Sequence, residues 1–160
     1  MDKNKDRYNR SYPISWEQLH RDSKALSWRL HDREDAWTGI VAVTRGGLVP
    51  AAVIARELGI HHIDTVCITS YNWQHQGETK ILKQVEGSGE GLLIIDDLVD
   101  TGSTARIVRK MLPKAYFATV YAKPAGKPLV DAYVTEVSQD TWILFPWDSE
   151  SQFVAPIAGK

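Results

Sequence analysis

The sequence Leu92-Leu-Ile-Ile-Asp-Asp-Leu-Val-Asp-Thr-Gly-Ser-Thr104 decides the fold. Its leading apolar residues are typical of a strand that is buried on both faces of a parallel sheet. Two adjacent acids, Asp96 and Asp97, follow this strand directly. Small and hydroxyl residues then lead into a helix, which the apolar spacing predicts over Ser103–Leu112. The segment is therefore predicted to form a strand, a polar loop and a helix.

Strands and helices also alternate on both sides of this segment. The β-branched run Gly39–Thr44 predicts a strand, and the apolar residues Leu48–Leu58 predict a helix that ends at Gly59. This alternation predicts the α/β class, with a mostly parallel twisted sheet flanked by helices and ligands at the carboxyl ends of the strands. The other predicted elements are a helix from the capping box Ser15-Trp-Glu-Gln18 to His31 and strands over Ile63–Ser70 and Ala115–Ala122.

Composition and charge exclude several classes of function. With 160 residues, the chain is expected to form a single domain, 1–160, that buries one core. Its 19 Lys and Arg against 20 Asp and Glu give a net charge of −1, which provides no bulk attraction to nucleic acid. Cys67 is the single cysteine, so no internal disulfide can form, and no apolar run is long enough to span a membrane. We therefore expect a cytoplasmic protein in which any recognition of phosphate is local.

The two ends of the chain lack the alternating pattern. Residues 1–14 precede the first predicted helix and are assigned to an N-terminal extension. Residues 124–160 contain several prolines and scattered aromatic residues without periodicity, which indicates a small C-terminal hood over the sheet.

The start of the helix at 101–104 has the chemistry of a phosphate site. Free backbone N–H groups, hydroxyl donors and the positive end of the helix dipole together suit a phosphate monoester. Asp96 and Asp97 would repel this anion unless they face sugar hydroxyls or a divalent cation that the ligand brings. The predicted ligand is therefore a phosphorylated sugar with a metal. A solvated strand end is the alternative for the acid pair, and a phosphoacceptor receiver domain is disfavoured because its acid pair follows its first strand.

The segment 92–104 resembles the phosphoribosyl-pyrophosphate fingerprint of the type I phosphoribosyltransferases: a hydrophobic strand, two acids and a Thr-Gly-x-Thr phosphate loop. The resemblance covers roughly Ser15–Gly159 and is greatest to the purine members of the family. Its further motifs are Thr44-Arg-Gly-Gly47 after the first strand, Lys123-Pro124 after a later strand, and Trp142-Ile143 with Pro146-Trp147-Asp148 near the end.

The resemblance implies a reaction and the residues that carry it out. The reaction is purine salvage, in which the 5-phosphoribosyl group moves from phosphoribosyl pyrophosphate (PRPP) to N9 of guanine, xanthine and, less readily, hypoxanthine. Asp100 would be the catalytic residue, exchanging a proton with the base near N7, and Asp97 would bind Mg²⁺. The resemblance assigns PRPP binding to Arg45, Gly46, Asp96, Asp97, Asp100, Thr101, Gly102, Ser103 and Thr104, and base binding to Asp100, Lys123, Trp142 and Ile143.

Several of these roles also have a physical basis in the residue types. Arg45 can pair with a pyrophosphate, while Gly46 lets the backbone approach a ligand closely. The Lys123 ammonium can donate to the 6-oxo group of a purine, a group that adenine lacks, and Trp142 offers a ring for stacking. Taken one at a time, an ordinary glycine-rich turn and a packing tryptophan are the alternatives.

One loop departs from the family pattern. Residues Tyr71–Thr79 are polar and lack periodicity, and they correspond to a flexible lid that often holds an Arg for the pyrophosphate. Gly77 occupies the matching place, so Lys80 is the candidate substitute. The resemblance further implies a non-proline cis peptide in the turn at Arg45, a homotetramer, and possible peripheral association with the inner face of the inner membrane.

Two alternative functions are open to the sequence. A non-enzymatic regulator could keep the PRPP pocket and bind RNA or a protein, but the net charge and the presence of Asp100, Lys123 and Trp142 disfavour it. A phosphoribosyltransferase for adenine, orotate or uracil is disfavoured mainly by Lys123. An assay of several bases with PRPP would separate these functions.

Overall fold

A six-stranded sheet lies at the centre of the protein in a computed structural model, which describes residues 8–71, 78–148 and 155–158. The elements are, in chain order, β1 (Arg10–Pro13), α1 (Trp16–His31), β2 (Gly39–Thr44), α2 (Leu48–Leu58), β3 (Ile63–Tyr71), β4 (Glu78–Lys83), β5 (Leu92–Val99), α3 (Ser103–Met111), β6 (Tyr116–Ala122), a short 3₁₀ helix (Lys127–Leu129), β7 (Ala132–Glu136) and β8 (Thr141–Leu144). The strand order in the sheet is β4-β3-β2-β5-β6-β7.

The sheet is parallel except at one edge, where β4 runs antiparallel to β3. The prediction of a mostly parallel sheet flanked by helices is therefore confirmed. Strands β2 and β5 are its neighbouring central strands. The residues of β2 up to Val43 and the apolar residues Leu93–Ile95 of β5 are buried on both faces, as their continuous apolar sequences require. Ile40 and Ala42 pack in the same core cluster as α1 and α2, whereas Val41 and Val43 pack in the cluster that contains α3.

Local signals set the ends of the helices. Ser15 caps α1, because its Oγ accepts a hydrogen bond of 3.1 Å from the backbone N–H of Gln18. Helix α2 ends at Gly59, whose φ of 67° closes the last turn in the left-handed conformation. Both helices have the bounds that the sequence predicts, since their signals come from residues inside or next to the helix.

The first and last of these strands form a second sheet. Strand β1 pairs in parallel with β8, with Ser11 opposite Trp142 and Tyr12 opposite Ile143. The N–H group of Ile14 extends the pairing by donating to the carbonyl of Leu144 at 2.9 Å. Residues that we assigned to an N-terminal extension thus pair with the hood, and the range 124–160 also supplies β7 to the main sheet. Neither pairing has a local sequence signal, because the partner strands are far apart in the chain.

The predicted loop Tyr71–Thr79 lies mostly outside the described residues. Its first residue belongs to β3 and its last two belong to β4, an edge strand that the sequence analysis did not predict. Gly77, the expected site of the missing lid Arg, is outside the described residues. Lys80 is an exposed residue of β4 opposite Thr69. No helix in the described ranges is long and apolar enough to cross a membrane.

Candidate functional site

The predicted site residues come from the carboxyl ends of three neighbouring strands. Arg45 follows β2, Asp100 follows β5, and Lys123 follows β6. A hydrogen bond links the ends of β5 and β6, because the backbone N–H of Lys123 donates to the carbonyl of Val99 at 2.9 Å. The sheet therefore brings three segments that are distant in sequence to one edge, which is where a parallel sheet binds its ligands.

The acid pair Asp96–Asp97 lies within β5 and not beyond its end. The strand continues to Val99 because Asp96 and Leu98 keep their pairing with β6, so the predicted strand end at Ile95 is too early. The backbone N–H of Asp97 donates to Asp96 Oδ1 at 2.8 Å.

Both carboxyl groups of this pair have raised pKa values. Burial raises the pKa of Asp97 to about 6, although its hydrogen bond with Asp96 opposes the change. Burial, with the charge of Asp97 added to it, raises the pKa of Asp96 well above its usual range. No ion pair in the described ranges supplies either carboxylate with a cation. Hydroxyl donors or a divalent cation would relieve the repulsion between the two groups.

The turn Thr44-Arg-Gly-Gly47 packs directly against the acid pair. The peptide bond between Thr44 and Arg45 is cis, and Thr44 Oγ1 donates to the carbonyl of Val66 at 3.1 Å. A Cβ atom on Gly46 would collide with the carboxylate of Asp97. Only glycine therefore lets this turn approach Asp97 so closely.

The start of α3 offers backbone donors to an anion. Gly102 is the N-cap of the helix with a φ of 88° and has no side chain to cap it, and the N–H of Ser103 donates a long hydrogen bond of 3.5 Å to Thr101 Oγ1. Thr101 Oγ1 and Ser103 Oγ lie 3.0 Å apart at the same place. The N–H groups of the first turn, two hydroxyls and the helix dipole together make a site that suits a phosphate.

The half-buried Asp100, just before the start of α3, forms an ion pair with the buried Lys123. Lys123 is 1% exposed, and its Nζ lies 3.1 Å from Asp100 Oδ2. The other oxygen, Oδ1, accepts a hydrogen bond of 2.7 Å from Gln139 Nε2. Tyr8 also donates its hydroxyl to Oδ2, at 3.1 Å. Three side chains from distant parts of the chain thus fix the carboxylate of Asp100.

Trp142 and Ile143 lie in β8, on the hood side of the same edge. Trp142 is 37% exposed, and its ring centroid lies 5.1 Å from that of Tyr8 in an edge-to-face arrangement. The Lys123 Nζ lies 4.6 Å from the centroid of the same Tyr8 ring. Ile143 is buried in the core cluster, so its backbone and not its side chain is available to a ligand.

The sequence analysis missed three residues of this region. Tyr8 and Gln139 contact Asp100, and Asp148 faces the acid pair: its charge raises the pKa of Asp97. Burial raises the pKa of Asp148 itself, while the positive charge of Arg45 lowers it. Asp148 belongs to the Pro146-Trp147-Asp148 motif, so its place in the site could have been predicted from the sequence. Tyr8 and Gln139 belong to no such motif.

The oxygen ligands of Asp96 and Asp97 have the chemistry that Mg²⁺ prefers. Across 8–71, 78–148 and 155–158, no group of three or more His, Cys, Asp or Glu residues is arranged to hold a metal ion. The two adjacent carboxylates of β5 would therefore fit an oxygen-seeking cation, provided that other oxygen ligands complete its coordination.

The chain belongs to the phosphoribosyl transferase domain family, whose sequence model matches residues 15–153. Its relatives include the xanthine-guanine phosphoribosyltransferase of Desulfotalea psychrophila, which is 69% identical over 156 residues and 97% of each chain. The enzyme of the same name from Nitratidesulfovibrio vulgaris is 68% identical over 97% of this chain and 95% of its own. These matches confirm the family resemblance inferred from the motifs.

Solved structures share the fold. A purine phosphoribosyltransferase from Pyrococcus horikoshii superposes with a TM-score of 0.76 at 25% identity, over 91% of this chain and 99% of its own. A xanthine-guanine-hypoxanthine phosphoribosyltransferase from Helicobacter pylori gives a TM-score of 0.71 at 22% identity, over 86% and 93%.

Proposed function

We propose that the protein is a purine-salvage enzyme that transfers the 5-phosphoribosyl group of PRPP to N9 of guanine, xanthine and, less readily, hypoxanthine. The products are GMP, XMP or IMP and pyrophosphate. One observation carries the proposal: Asp100, which precedes the start of α3 in the chain, forms an ion pair with Lys123, and both are linked to the exposed Trp142 through their shared contact with Tyr8. The names of the relatives support the same reaction.

The phosphate groups of PRPP have separate places in this proposal. Residues 101–104 would bind the 5′-phosphate through the N–H groups at the start of α3 and two nearby hydroxyls. Arg45 and Gly46 would bind the departing pyrophosphate, where the guanidinium provides charge and the glycine provides close approach. Stabilising the charge on the leaving group lowers the barrier, because the transition state resembles an oxocarbenium ion and needs no covalent nucleophile.

The acid pair would hold the ribose. Asp96 and Asp97 would accept hydrogen bonds from its hydroxyls, and Asp97 would be the metal ligand. Mg²⁺ bound there would neutralise charge on the pyrophosphate. The adjacency of these two carboxylates supports this arrangement, because hydroxyl donors or a cation would relieve the repulsion between them.

The base would be bound by Asp100, Lys123, Trp142 and Ile143. Asp100 would exchange a proton with the base near N7 while the base attacks through N9. Lys123 would donate to the 6-oxo group, Trp142 would stack on the ring, and the carbonyl of Ile143 would read the 2-substituent. The three strand ends support this assignment because they place Asp100 and Lys123 in contact.

A multi-base assay tests the proposal. Purified protein with PRPP and Mg²⁺ is offered guanine, xanthine, hypoxanthine, adenine, orotate and uracil, and nucleotide formation is measured by chromatography. We expect turnover of the three 6-oxopurines alone. Turnover of adenine in place of guanine, or of none of the bases, would contradict the proposal. Lys123→Gln should narrow the preference between 6-oxo and 6-amino purines, because it removes the charge and adds an acceptor.

The resemblance also supports a homotetramer in the cytoplasm, with peripheral association with the inner face of the inner membrane. Light scattering of the purified protein would measure its oligomeric state, and fractionation of cells would show its location. The chain would act as a single domain, 1–160, in which the β1–β8 pairing closes the hood over the base.

A further inference from the structure

Tyr8 lies where the proposed base site is. Its hydroxyl donates to Asp100 Oδ2, its ring meets the edge of Trp142, and the ammonium of Lys123 lies over its face. These are three of the four residues assigned to the base. Tyr8 comes from the N-terminal segment just before β1, whose pairing with β8 holds the segment against the hood.

The contacts of Tyr8 reproduce the chemistry expected of a purine. A bound purine would contact Asp100 through the region around its N7 atom, and the Tyr8 hydroxyl contacts Asp100 here. The 6-oxo group would approach the Lys123 ammonium, which instead is attracted to the negative face of the phenol ring. Trp142 would stack on the base, and it packs against the Tyr8 ring at 5.1 Å. At that separation no second ring fits between the two.

We propose that Tyr8 occupies the base site when no purine is bound and that the incoming base must displace it. The inference rests on the proposed function, because it takes Asp100, Lys123 and Trp142 as base contacts. The ligand that Tyr8 competes with is a 6-oxopurine. Asp100 is the one residue assigned to PRPP that Tyr8 is seen to contact, and the phosphate contacts proposed at α3 and at the Gly46 turn do not involve Tyr8, so PRPP binding should change little when Tyr8 leaves.

The burial of Lys123 explains why a tyrosine would occupy the empty base site. An ammonium that is 1% exposed cannot rely on water, so it needs partners whether or not a base is present. Asp100 supplies one partner and the Tyr8 ring supplies another. Tyr8 thereby stabilises the empty site, and the cost is that only the fraction of molecules with Tyr8 displaced can bind the base.

Steady-state kinetics test the competition. In Tyr8→Ala, the KM for guanine should fall about five- to tenfold, since the whole population becomes competent to bind. The KM for PRPP and the kcat should stay within about twofold. Tyr8→Phe keeps the ring and loses the hydrogen bond to Asp100, so its KM should lie between those of the wild type and Tyr8→Ala. Tyr133→Phe, at a tyrosine of β7 outside the base site, is the matched control.

A KM for guanine that is unchanged or raised in Tyr8→Ala would overturn the inference. A raised KM would mean that Tyr8 is a fixed wall of the base site. A wild-type enzyme that makes no GMP from guanine and PRPP would instead overturn the proposed function, so the two failures are distinguishable.

A second measurement does not depend on turnover. Protein labelled with 3-fluorotyrosine gives one ¹⁹F resonance for each tyrosine, and the signal missing in Tyr8→Phe identifies Tyr8. Saturating GMP should shift that signal toward the position of a solvent-exposed tyrosine, while the Tyr133 signal stays in place. An unmoved Tyr8 signal in the GMP complex would contradict displacement.

Discussion

Asp100 is held by side chains from three separate parts of the chain. Lys123 and Tyr8 share one of its oxygens, and Gln139 donates to the other. The contacts of Lys123 and Gln139 do not depend on Tyr8. A carboxylate that these two side chains hold before the substrates arrive needs little reorganisation in the transition state, which is where an acid–base residue contributes to the rate. The arrangement also keeps the buried ammonium of Lys123 beside a negative charge.

Removing the charge of Asp100 should therefore affect the chemistry more than the binding of PRPP. In Asp100→Asn we expect kcat to fall by about 10²–10⁴ while the affinity for PRPP changes little. Single-turnover measurements with guanine, together with titration of PRPP, separate these two effects. Asp35→Asn alters an exposed surface pair and is the control. A kcat near the wild-type value would remove Asp100 from the mechanism.

Gly46 is the second residue whose identity the structure explains. Its Cα faces the Asp97 carboxylate without room for a Cβ. Gly46→Ala should displace that carboxylate or the turn itself and raise the KM for PRPP at least about tenfold, as overpacking typically costs 1–3 kcal/mol. Circular dichroism should show an unchanged fold, since the turn lies at the ligand edge. A wild-type KM for PRPP in a folded Gly46→Ala enzyme would show that Asp97 can move aside without loss.

Among the strands and helices, the pairing of β1 with β8 links the N-terminal segment to the hood. Ile14 ends this pairing and is 4% exposed, in the same core cluster as Ile143 and Phe145. The hood is thus attached to the main core through apolar side chains as well as through backbone hydrogen bonds.

Truncating Ile14 tests how much this attachment contributes. Ile14→Ala should lower the free energy of unfolding by about 2–5 kcal/mol, because it leaves a cavity in the core. Ile157→Ala removes the same atoms from a fully exposed site and should change it by less than about 0.5 kcal/mol. Urea denaturation of both variants gives the comparison. Equal free energies of unfolding for the two variants would mean that the packing of Ile14 between the hood and the core contributes little to stability.

The elements that could be predicted are those whose signals are local. Three examples are the cap of α1 at Ser15, the end of α2 at Gly59, and the apolar start of β5 that is buried on both faces of the sheet. Each depends on residues within or beside one element. Strands β1, β4, β7 and β8 were missed because they are short or at a sheet edge, and their partners supply the hydrogen bonds.

The same division applies to the candidate site. The site contains Asp96, Asp97 and Asp100, which stand in one continuous motif, so their proximity could be predicted from the sequence. The structure adds that Asp96 and Asp97 lie within β5 and that Asp100 follows it. Tyr8 and Gln139 reach Asp100 through pairings that close long loops, and no short pattern around them indicates this. Their role could be found only once the sheet and the hood were in place.

Across the whole molecule, the proposed PRPP site is assembled from the turn after β2, the strand β5 and the start of α3. These segments belong to the central sheet and to helices on both of its faces. A ligand that contacts all of them at once binds the folded state and not the unfolded chain, so it should stabilise the protein by mass action.

Thermal unfolding with added ligands tests this arrangement. At about 100 times its Kd, PRPP with Mg²⁺ should raise the Tm by roughly 5–10 °C. Mg²⁺ alone should have little effect, because two carboxylates provide an incomplete set of ligands without the sugar and the pyrophosphate. A large shift with Mg²⁺ alone would indicate a preformed metal site. The same shift with PRPP in the presence and in the absence of Mg²⁺ would contradict a metal-dependent complex.

The parallel pairing of β1 with β8 also sets the order in which the enzyme becomes complete on the ribosome. Strand β1 leaves the exit tunnel early, yet its partner is made only after the whole central sheet. At 5–20 residues per second, β1 waits on the order of ten seconds for that partner. A nascent chain stopped before Thr141 would already contain helix α3, which we propose to bind phosphate, and the acid pair, but it would lack Trp142. Under the proposed assignment of Trp142 to the base, base recognition is thus completed last during synthesis.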